Sequence, residues 1–353
     1  MKGVIILLLL LLSVNLSYAQ EKEKEKEEQK KKSKNIKVVP YISYNRTYEF
    51  MFGAVPMLMY KVNKKDTISP ESISGLMGIY TTNKTWFAIA FSKLYLMEDH
   101  WRITIGAGLG TANSQFLSGG TSSSFIDYQT GADFFKLEVQ RKIGEDLYFG
   151  ANYMYTKFNN EFDFETPVNE EVTLNGLGLV FLRDKRDNVY YPTKGSELNL
   201  DYTGYLGFMG NDDESSKIEL KYNHFFKAKR GKDVIAVRGY GGFGLGNVPF
   251  NNLLVVEGTD LRGYSMGEYR GKQLVALQGE YRYNFKGNMG LVGFAGLGSV
   301  YGSEVEANNG KILPSIGMGY RYTVFPKNKM NIGIDVATGR DDWGVYFRIG
   351  EAF

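Results

Sequence analysis

The chain has 353 residues and a formal net charge of +3, from 42 Lys and Arg against 39 Asp and Glu. This balanced charge does not suggest a nucleic-acid partner, and the lack of cysteine excludes disulfides, thiolate metal sites and cysteine nucleophiles. The 42 glycines, 25 tyrosines and 23 phenylalanines, with only 8 prolines, match an outer-membrane β-barrel. A large soluble β-protein is the alternative that composition alone leaves open.

The N-terminal segment predicts export from the cytoplasm. Lys2 precedes an apolar run at 4–12, and small residues stand near the end of the segment 1–19. We predict a signal peptide over 1–19, because the run is shorter than the roughly 20 residues of a membrane-spanning helix. Residues 20–37 are mostly Lys, Glu and Gln. They are predicted to form a disordered periplasmic tail, since they have too few apolar side chains to bury a core.

From residue 38 onward the sequence repeats one unit, a strand of alternating apolar and polar residues followed by a turn. This pattern predicts an all-β fold, namely a transmembrane antiparallel β-barrel of about 16 strands over residues 38–353. The expected strands lie near 37–44, 50–61, 72–82, 84–96, 99–110, 131–142, 145–158, 170–183, 195–208, 214–227, 231–244, 272–285, 288–300, 310–323, 329–338 and 342–353.

The connections between these strands differ in length at the two ends of the predicted barrel. If the first strand starts in the periplasm, the periplasmic turns are mostly short, whereas the outer loops include the long segments 111–130, 159–169 and 245–271. This asymmetry is typical of outer-membrane barrels. An even number of strands also places both ends of the barrel chain in the periplasm and leaves no unpaired edge.

Individual strands have one charged face and one apolar face. In the strand at 272–285, Glu280 and Arg282 lie on one face, while Leu277 and Tyr281 lie on the other. Charged side chains would be costly in the packed core of a soluble barrel, but a water-filled lumen tolerates them. The alternation therefore favours a barrel in lipid over a soluble β-protein.

Two motifs resemble those of a known family. Residues 184–195 read DKRDNVYYPTKG, and residues 261–264 read LRGY in the long loop between strands 11 and 12. They resemble the turn motif and the sixth-loop motif of the BamA/TamA and two-partner-secretion superfamily of outer-membrane barrels (bacterial surface antigen domain). The resemblance covers residues 38–353. Members usually carry periplasmic POTRA modules before the barrel, where this chain has the charged tail, so we expect a member without them.

The resemblance implies that the sixth outer loop folds into the lumen and that its arginine pairs with acids on the barrel wall. The motif residues are Leu261, Arg262, Gly263 and Tyr264. Gly296 stands where the acidic partner of the family would be, and strand parity offers Glu280 and Asp335 as inward acids instead. The alternative is a solvated Arg262 in an ordinary outer hairpin.

The other motif is predicted to build a rigid periplasmic turn. Asp and Arg side chains bind local backbone groups in such turns, and Pro and Gly restrict or permit the required dihedral angles. A functional role at the periplasmic mouth is the alternative. The residues concerned are Asp184, Arg186, Asp187, Pro192 and Gly195.

The last strand carries a candidate insertion signal. Substrates of the outer-membrane insertion machinery end in an aromatic residue on an alternating strand, and the corresponding residues here are Trp343, Phe347 and Phe353. This strand must also pair with the first one to close the barrel. Pro40 removes a hydrogen-bond donor from the first strand, so the closing seam is expected to be weakly paired.

For catalysis the sequence offers little. It has two histidines, and we expect no serine beside His224 in a hydrolase arrangement, while His100 lies next to a periplasmic turn. No metal-ligand spacing or phosphate-binding loop is present in the sequence. The chain is therefore predicted not to be an enzyme and to need no cofactor or metal. A lipid-modifying enzyme is the weakest hypothesis.

Two functions remain at this stage. The first is insertion or transport of polypeptide, or of lipid, at the outer membrane with a separate periplasmic partner. The second is a passive channel or a structural accessory barrel in a larger complex. Both place the protein in the cell outer membrane, in contact with its lipids, including lipopolysaccharide, and with the insertion machinery that would assemble it.

Overall fold

A computed structural model of the protein describes residues 36–119, 124–228, 230–258, 260–285 and 287–353. The predicted signal peptide and nearly all of the charged tail lie outside the described residues. No helix in the described ranges is long and apolar enough to cross a membrane.

The predicted strand number is confirmed, because sixteen strands in the described part of the chain close into one antiparallel barrel. Two further short strands, β12 and β13, pair with each other in the loop between β11 and β14. The strands are β1 Ile36–Asn45, β2 Glu49–Tyr60, β3 Ser72–Thr81, β4 Trp86–Leu96, β5 Trp101–Leu117, β6 Phe125–Lys142, β7 Leu147–Phe162, β8 Val168–Asp184, β9 Gly195–Tyr205, β10 Ser215–Lys227, β11 Val234–Gly246, β12 Leu254–Val255, β13 Arg270–Gly271, β14 Gln273–Asn284, β15 Met289–Tyr301, β16 Leu313–Phe325, β17 Met330–Thr338 and β18 Trp343–Ile349.

The two faces of the wall follow the predicted alternation. Along β14, Leu277 is 57% exposed and Tyr281 is 41% exposed, whereas Glu280 and Arg282 between and beside them are buried. A wall whose outer face is apolar and whose inner face carries charges is the arrangement that a membrane barrel requires. The exposed side of the neighbouring strands is also aliphatic and aromatic.

The expected outer loop at 111–130 is much shorter in the structure. β5 continues to Leu117 and β6 already begins at Phe125. These strands have 17 and 18 residues, more than the roughly 9–11 that cross a bilayer. Residues beyond the bilayer-crossing length can be polar on their outer face, so polar residues such as Asn113 and Gln129 belong to strands and not to a loop. On the inner face of these strand ends, Phe116 and Tyr128 are buried.

The interior is not uniformly polar. On β2 the inward-facing side chains are apolar and buried, and they pack with Val39 of β1 and with Phe325 and Met330 near the turn between β16 and β17. The inward-facing members on β2 are Val55, Met57 and Met59. The expectation of a charged inner face therefore holds for β14 but is wrong for the first two strands.

Candidate functional site

The loop between β11 and β14, residues 247–272, folds back against inward-facing side chains of the barrel; we call it loop 6. Leu261 and Tyr264 are almost fully buried, and they share one apolar cluster with Val300 of β15 and Leu313 of β16. The hydroxyl of Tyr264 donates a hydrogen bond to the main-chain oxygen of Pro314 (2.6 Å). The tip of the loop is thus packed like a protein core.

Gly263 allows the loop to approach the wall closely. Its φ is +97°, and a Cβ atom there would lie 2.5 Å from the main-chain carbon of Thr338. The N–H of Gly263 donates to the hydroxyl of Tyr346 on β18 (2.9 Å). A residue with a side chain would be strained by both the backbone conformation and the contact.

Arg262 is brought together with both acids that strand parity offered. Its side chain is fully buried; Nη2 lies 2.5 Å from an oxygen of Glu280, and Nη1 lies 2.8 Å from an oxygen of Asp335. Its guanidinium also lies 3.4 Å from the ring centroid of Phe294, which adds a cation–π contact. The alternative of a solvated Arg262 is wrong for this structure, because the side chain has no exposed surface.

The glycine at position 296 has a packing reason. A Cβ atom on Gly296 would lie 2.9 Å from a terminal methyl group of Leu261. The position where the resemblance places an acid therefore makes room for the apolar residue of the same loop motif. Two acids on β14 and β17 face the arginine from other strands instead.

Six side chains form a closed ring of ion pairs in the lumen, which we call the ion-pair ring. Each charge lies between two opposite charges, with N–O distances from 2.5 to 3.8 Å. Losing one member would leave a buried charge short of a partner, which costs about 3–5 kcal/mol. In ring order the members are Arg262, Glu280, Arg282, Glu351, Arg321 and Asp335.

The periplasmic turn motif forms a compact network at the ends of β8 and β9. Asp184 accepts hydrogen bonds from Arg186 Nε (2.8 Å) and from Arg102 Nη1 (2.7 Å) on β5. Asp187 accepts from the N–H (2.8 Å) and hydroxyl of Thr193. Arg102 was not predicted, because nothing in a single sequence links it to a turn about 80 residues away.

The remaining motif residues shape the same turn. Pro192 is buried, and Gly195 has φ +98° with its Cα close to the main-chain oxygen of Lys185, where a Cβ atom would not fit. Arg186 Nη2 also lies 2.7 Å from Glu197 on β9. These contacts hold the turn against the barrel wall.

The seam between β1 and β18 is paired over a very short stretch. Only Tyr44 with Val345 and Asn45 with Gly344 are in register among the described residues of these strands. The Ser43 hydroxyl adds one hydrogen bond to the main-chain oxygen of Val345 (2.5 Å). By contrast, β18 pairs with β17 from Trp343 to Ile349.

On the periplasmic side of these two residue pairs, side chains close the seam. The ring of Tyr41 meets the ring of Phe347 edge to face, with centroids 5.1 Å apart, and Val39 packs in the apolar cluster of β2. At the outer end, Trp343 is 47% exposed and stacks on Tyr44 at 4.8 Å. Pro40 is exposed and offers no N–H to the ladder.

The end of the chain differs from the prediction. β18 ends at Ile349, and Gly350, with φ +84°, turns the following residues away from the wall. The ring of Phe353 packs inside the barrel against Phe225 and Val234. The expectation that Phe353 continues the alternating strand is therefore wrong, because the glycine turn ends the strand before it.

The sequence model of the Omp85 superfamily domain matches residues 71–353. The chain belongs to the Omp85 superfamily. The predicted resemblance is thereby confirmed, and the protein is an outer-membrane β-barrel of a family associated with protein assembly and transport. No curated protein matches the chain in sequence.

Solved structures of low sequence identity share the fold of this Omp85 barrel. BamA from Haemophilus ducreyi lacking POTRA domains 1–3 superimposes with a TM-score of 0.58 at 13% identity, covering 90% of this chain and 71% of that one. CdiB from Acinetobacter baumannii gives 0.60 at 13% identity, covering 88% and 58%. CdiB from Escherichia coli gives 0.60 at 10% identity, covering 87% and 62%. The chain thus spans less than two thirds of either CdiB protein.

The structure adds one neighbour that sequence reasoning did not name beside His224. Ser196 on β9 is the direct cross-strand partner of His224 on β10, and no hydrogen bond joins the two side chains among the described residues. Register between strands cannot be read from one sequence, which is why the serine was missed. The imidazole is engaged along its own strand: Nδ1 lies 2.8 Å from the Tyr222 hydroxyl, and the ring stacks on Phe226 at 4.2 Å.

Proposed function

We propose that this Omp85 barrel inserts or transports polypeptide, or lipid, at the outer membrane by opening the seam between β1 and β18. The observation that carries the proposal is the short ladder at Tyr44 and Asn45. Each backbone hydrogen bond contributes only about 1 kcal/mol net. A seam with few of them opens at much lower cost than strand pairs with long ladders, such as β17 with β18 or β5 with β6.

Loop 6 supports β1 as the strand that moves. The loop holds β18 in place through Tyr346, whose hydroxyl donates to the main-chain oxygen of Tyr264 (3.1 Å), and through Arg348, which donates to that of Gly258 (2.7 Å). Arg348 also pairs with Asp335 (2.7 Å).

Loop 6 also binds the turn after β1, because the N–H of Arg46 donates to the Ser265 hydroxyl (3.1 Å) and the Thr47 hydroxyl donates to the main-chain oxygen of Met266 (2.7 Å). We propose that β1 is the strand that moves, because β18 is in addition paired with β17 along its length. Opening then breaks the short ladder together with these two hydrogen bonds.

We also propose that the barrel acts with a separate partner protein in the periplasm. Cargo must reach the seam from the periplasmic side, where the loop at 61–71 and the turn at 185–194 carry exposed residues such as Ile68 and Lys194. We propose that the partner meets the barrel there and delivers cargo. Contact with lipopolysaccharide on the outer face and assembly of this barrel by the insertion machinery are part of the same proposal.

A passive channel is the second candidate function, because part of the lumen remains wet. Glu138, Asp201 and Lys221 face inward on β6, β9 and β10 and keep partial exposure. Loop 6 reaches the wall formed by β14 to β18, and Phe250 of the same loop packs near the outer ends of β5, β6 and β7. Any water-filled path along β6 to β10 would have to pass these contacts to conduct ions.

Single-channel conductance in planar bilayers separates the two functions. If loop 6 seals a translocating barrel, the wild type is closed and Arg262→Ala opens a steady conductance, since the loop loses both wall acids. Arg340→Ala is the matched control, because Arg340 is exposed on the outer turn between β17 and β18. A steady open pore in the wild type favours the channel. Depletion of the protein is expected to lower the amounts of other outer-membrane barrels, and unchanged amounts would oppose an assembly role.

A further inference from the structure

The last four residues of the chain enter the periplasmic end of the lumen; we call residues 350–353 the tail segment. Gly350 makes the turn inward with φ +84°, and its N–H donates to the main-chain oxygen of Asn331 on β17 (2.7 Å). A Cβ atom on Gly350 would meet no other atom within 4 Å. The turn is therefore held by backbone geometry and one hydrogen bond, and not by packing at the glycine.

The acidic side chain of the tail segment lies in a built carboxylate subsite. The Glu351 side chain is 2% exposed and accepts hydrogen bonds from Arg321 Nε (2.9 Å) and Asn331 Nδ2 (2.7 Å), with Arg282 Nε at 3.8 Å. Within the described ranges, Arg282 Nη1 and Arg321 Nη2 are buried and have no hydrogen-bond partner. The wall thus presents more donors to this subsite than Glu351 uses.

The aromatic side chain occupies a second subsite. Phe353 packs against a buried cluster from the turn at 185–194 and from β10 and β11. Arg282 spans both subsites, since its Nη2 donates to the main-chain oxygen of Phe353 (2.7 Å) and its guanidinium lies 5.6 Å from the ring centroid. The cluster members are Tyr191, Phe225, Val234 and Ala236.

We propose that this pocket is a recognition site for a polypeptide segment with a carboxylate two residues before an aromatic ring, and that the tail segment is its displaceable resident ligand. Both subsites are made by side chains of the wall and of one periplasmic turn, so they persist when the tail segment leaves. Ala352, between the two anchoring residues, is 8% exposed, which restricts the middle position to small side chains.

The proposal rests on the proposed function, because a barrel that handles polypeptide meets such segments in the periplasm. The site is also connected to loop 6, since Glu351 is a member of the ion-pair ring that holds Arg262. When the tail segment leaves, Arg282 and Arg321 each lose an acid. A competing segment that brings its own carboxylate restores the ring, which makes exchange of ligands favoured over simple loss of the tail segment.

Peptide binding to the purified barrel in detergent tests the proposal. The probe is a fluorescent peptide ending in Gly-Glu-Ala-Phe, with matched control peptides in which Gln replaces Glu or Ala replaces Phe. We expect a variant truncated after Ile349 to bind the probe at least tenfold more tightly than either control peptide. The full chain should bind it at least tenfold more weakly than the truncated variant, because the attached tail segment competes at an effective concentration in the millimolar range.

A second variant keeps the chain at full length in case truncation disturbs folding. Gly350→Ala adds only backbone strain at the turn, since the added Cβ has open space. Strain of this kind shifts the ratio of released to docked tail segment by roughly 5- to 30-fold, so probe binding should strengthen accordingly. Circular dichroism and gel mobility without heating verify that each variant is a folded barrel.

Three outcomes would overturn the site: no probe binding to the folded truncated variant, equal binding of all three peptides, or no gain of binding in folded Gly350→Ala. The assay needs no transport and no seam movement. If the probe binds but depletion of the protein leaves the amounts of other barrels unchanged, the proposed function is rejected and the site is kept. If depletion lowers the amounts of other barrels but the probe does not bind, the site alone is rejected.

Discussion

The barrel wall has one firm side and one weak side. β5 pairs with β6 at every position from Trp101 to Leu117, and β7 pairs with β8 from Leu147 to Phe162. On the other side, β1 meets β18 in register only at Tyr44 and Asn45. Both regions belong to one closed sheet, and the seam is where our proposal has the wall open.

The interior reinforces the same asymmetry. Arginines and acids of the ion-pair ring join loop 6 to β14, β16 and β17, next to the seam strand β18. β1 is held on its inner side by apolar contacts of Val39 and Tyr41. Apolar contacts lack direction and re-form after sliding, whereas buried ion pairs need fixed geometry. In our proposal β1 therefore moves against β18, after the turn that follows β1 has released two hydrogen bonds to loop 6.

The largest effect is expected from Asp335→Ala, which tests whether the fixed side depends on the ring. Asp335 pairs with Arg262, Arg321 and Arg348, and its loss leaves buried arginines short of a partner. We expect a loss of about 3–5 kcal/mol in the free energy of unfolding in urea. Glu145→Ala, at an exposed periplasmic turn, is the control. Equal stability of both variants would show that the ring does not hold the wall.

Hydrogen–deuterium exchange compares the local stability of the seam with that of the fully paired strands. Local opening exposes amides in weakly paired segments before those in fully paired strands. Amides of β1 should exchange at least 100-fold faster than those in the middle of β6, a difference of about 2.7 kcal/mol in opening free energy. Similar protection of the two strands would mean that the short ladder is not a weak point.

The aromatic stack at the outer end of the seam should contribute a smaller amount. Tyr44 stacks on Trp343 with centroids 4.8 Å apart and also lies 4.9 Å from Phe50. Aromatic pairs contribute about 0.5–1.5 kcal/mol beyond burial. Tyr44→Ala should therefore raise exchange in β1 by roughly 3- to 10-fold. Tyr80→Ala, another exposed outward tyrosine, should leave β1 unchanged.

The smallest effect concerns the periplasmic loop at 61–71. The hydroxyl and N–H of Ser69, with the N–H of Glu98, hold the pKa of Asp66 well below its usual range. A lowered folded-state pKa gives stability that is present above the unfolded pKa of about 3.9 and is lost as pH falls through the folded value. Protection of this loop, corrected for intrinsic exchange, should be unchanged from pH 7 to pH 5. In Asp66→Asn it should be lower at both pH values, and equal protection would contradict the role of the carboxylate.

Much of the fold could be predicted because alternation is a local signal. The strand number and the inward position of Glu280 and Asp335 follow from parity, which each strand carries in its own sequence. That Arg262 pairs with inward acids was implied by the family resemblance and not by parity. Features that depend on register could not be read, such as Ser196 opposite His224. The contact of Arg102 with Asp184 could not be predicted either, because it joins strands that are distant in sequence.

Two errors concern the position at which a strand ends. The outer parts of β5 and β6 are polar on their outer face, so they read as a loop although Thr111 and Gln129 are in strands. Alternation along the last strand would include Phe353, but Gly350 ends that strand before residue 353. Alternation predicts which face a strand residue takes. It does not predict where the strand stops.

Locking the seam tests the central claim most directly. The chain has no cysteine, so Tyr44→Cys with Val345→Cys places one pair across the seam at partners in register, within the usual reach of a disulfide. Leu291→Cys with Tyr320→Cys places a matched pair across β15 and β16. After oxidation in cells, only the seam pair should reduce the amounts of other outer-membrane barrels, and a reductant should restore them. Unchanged amounts with a fully formed seam disulfide would contradict the account.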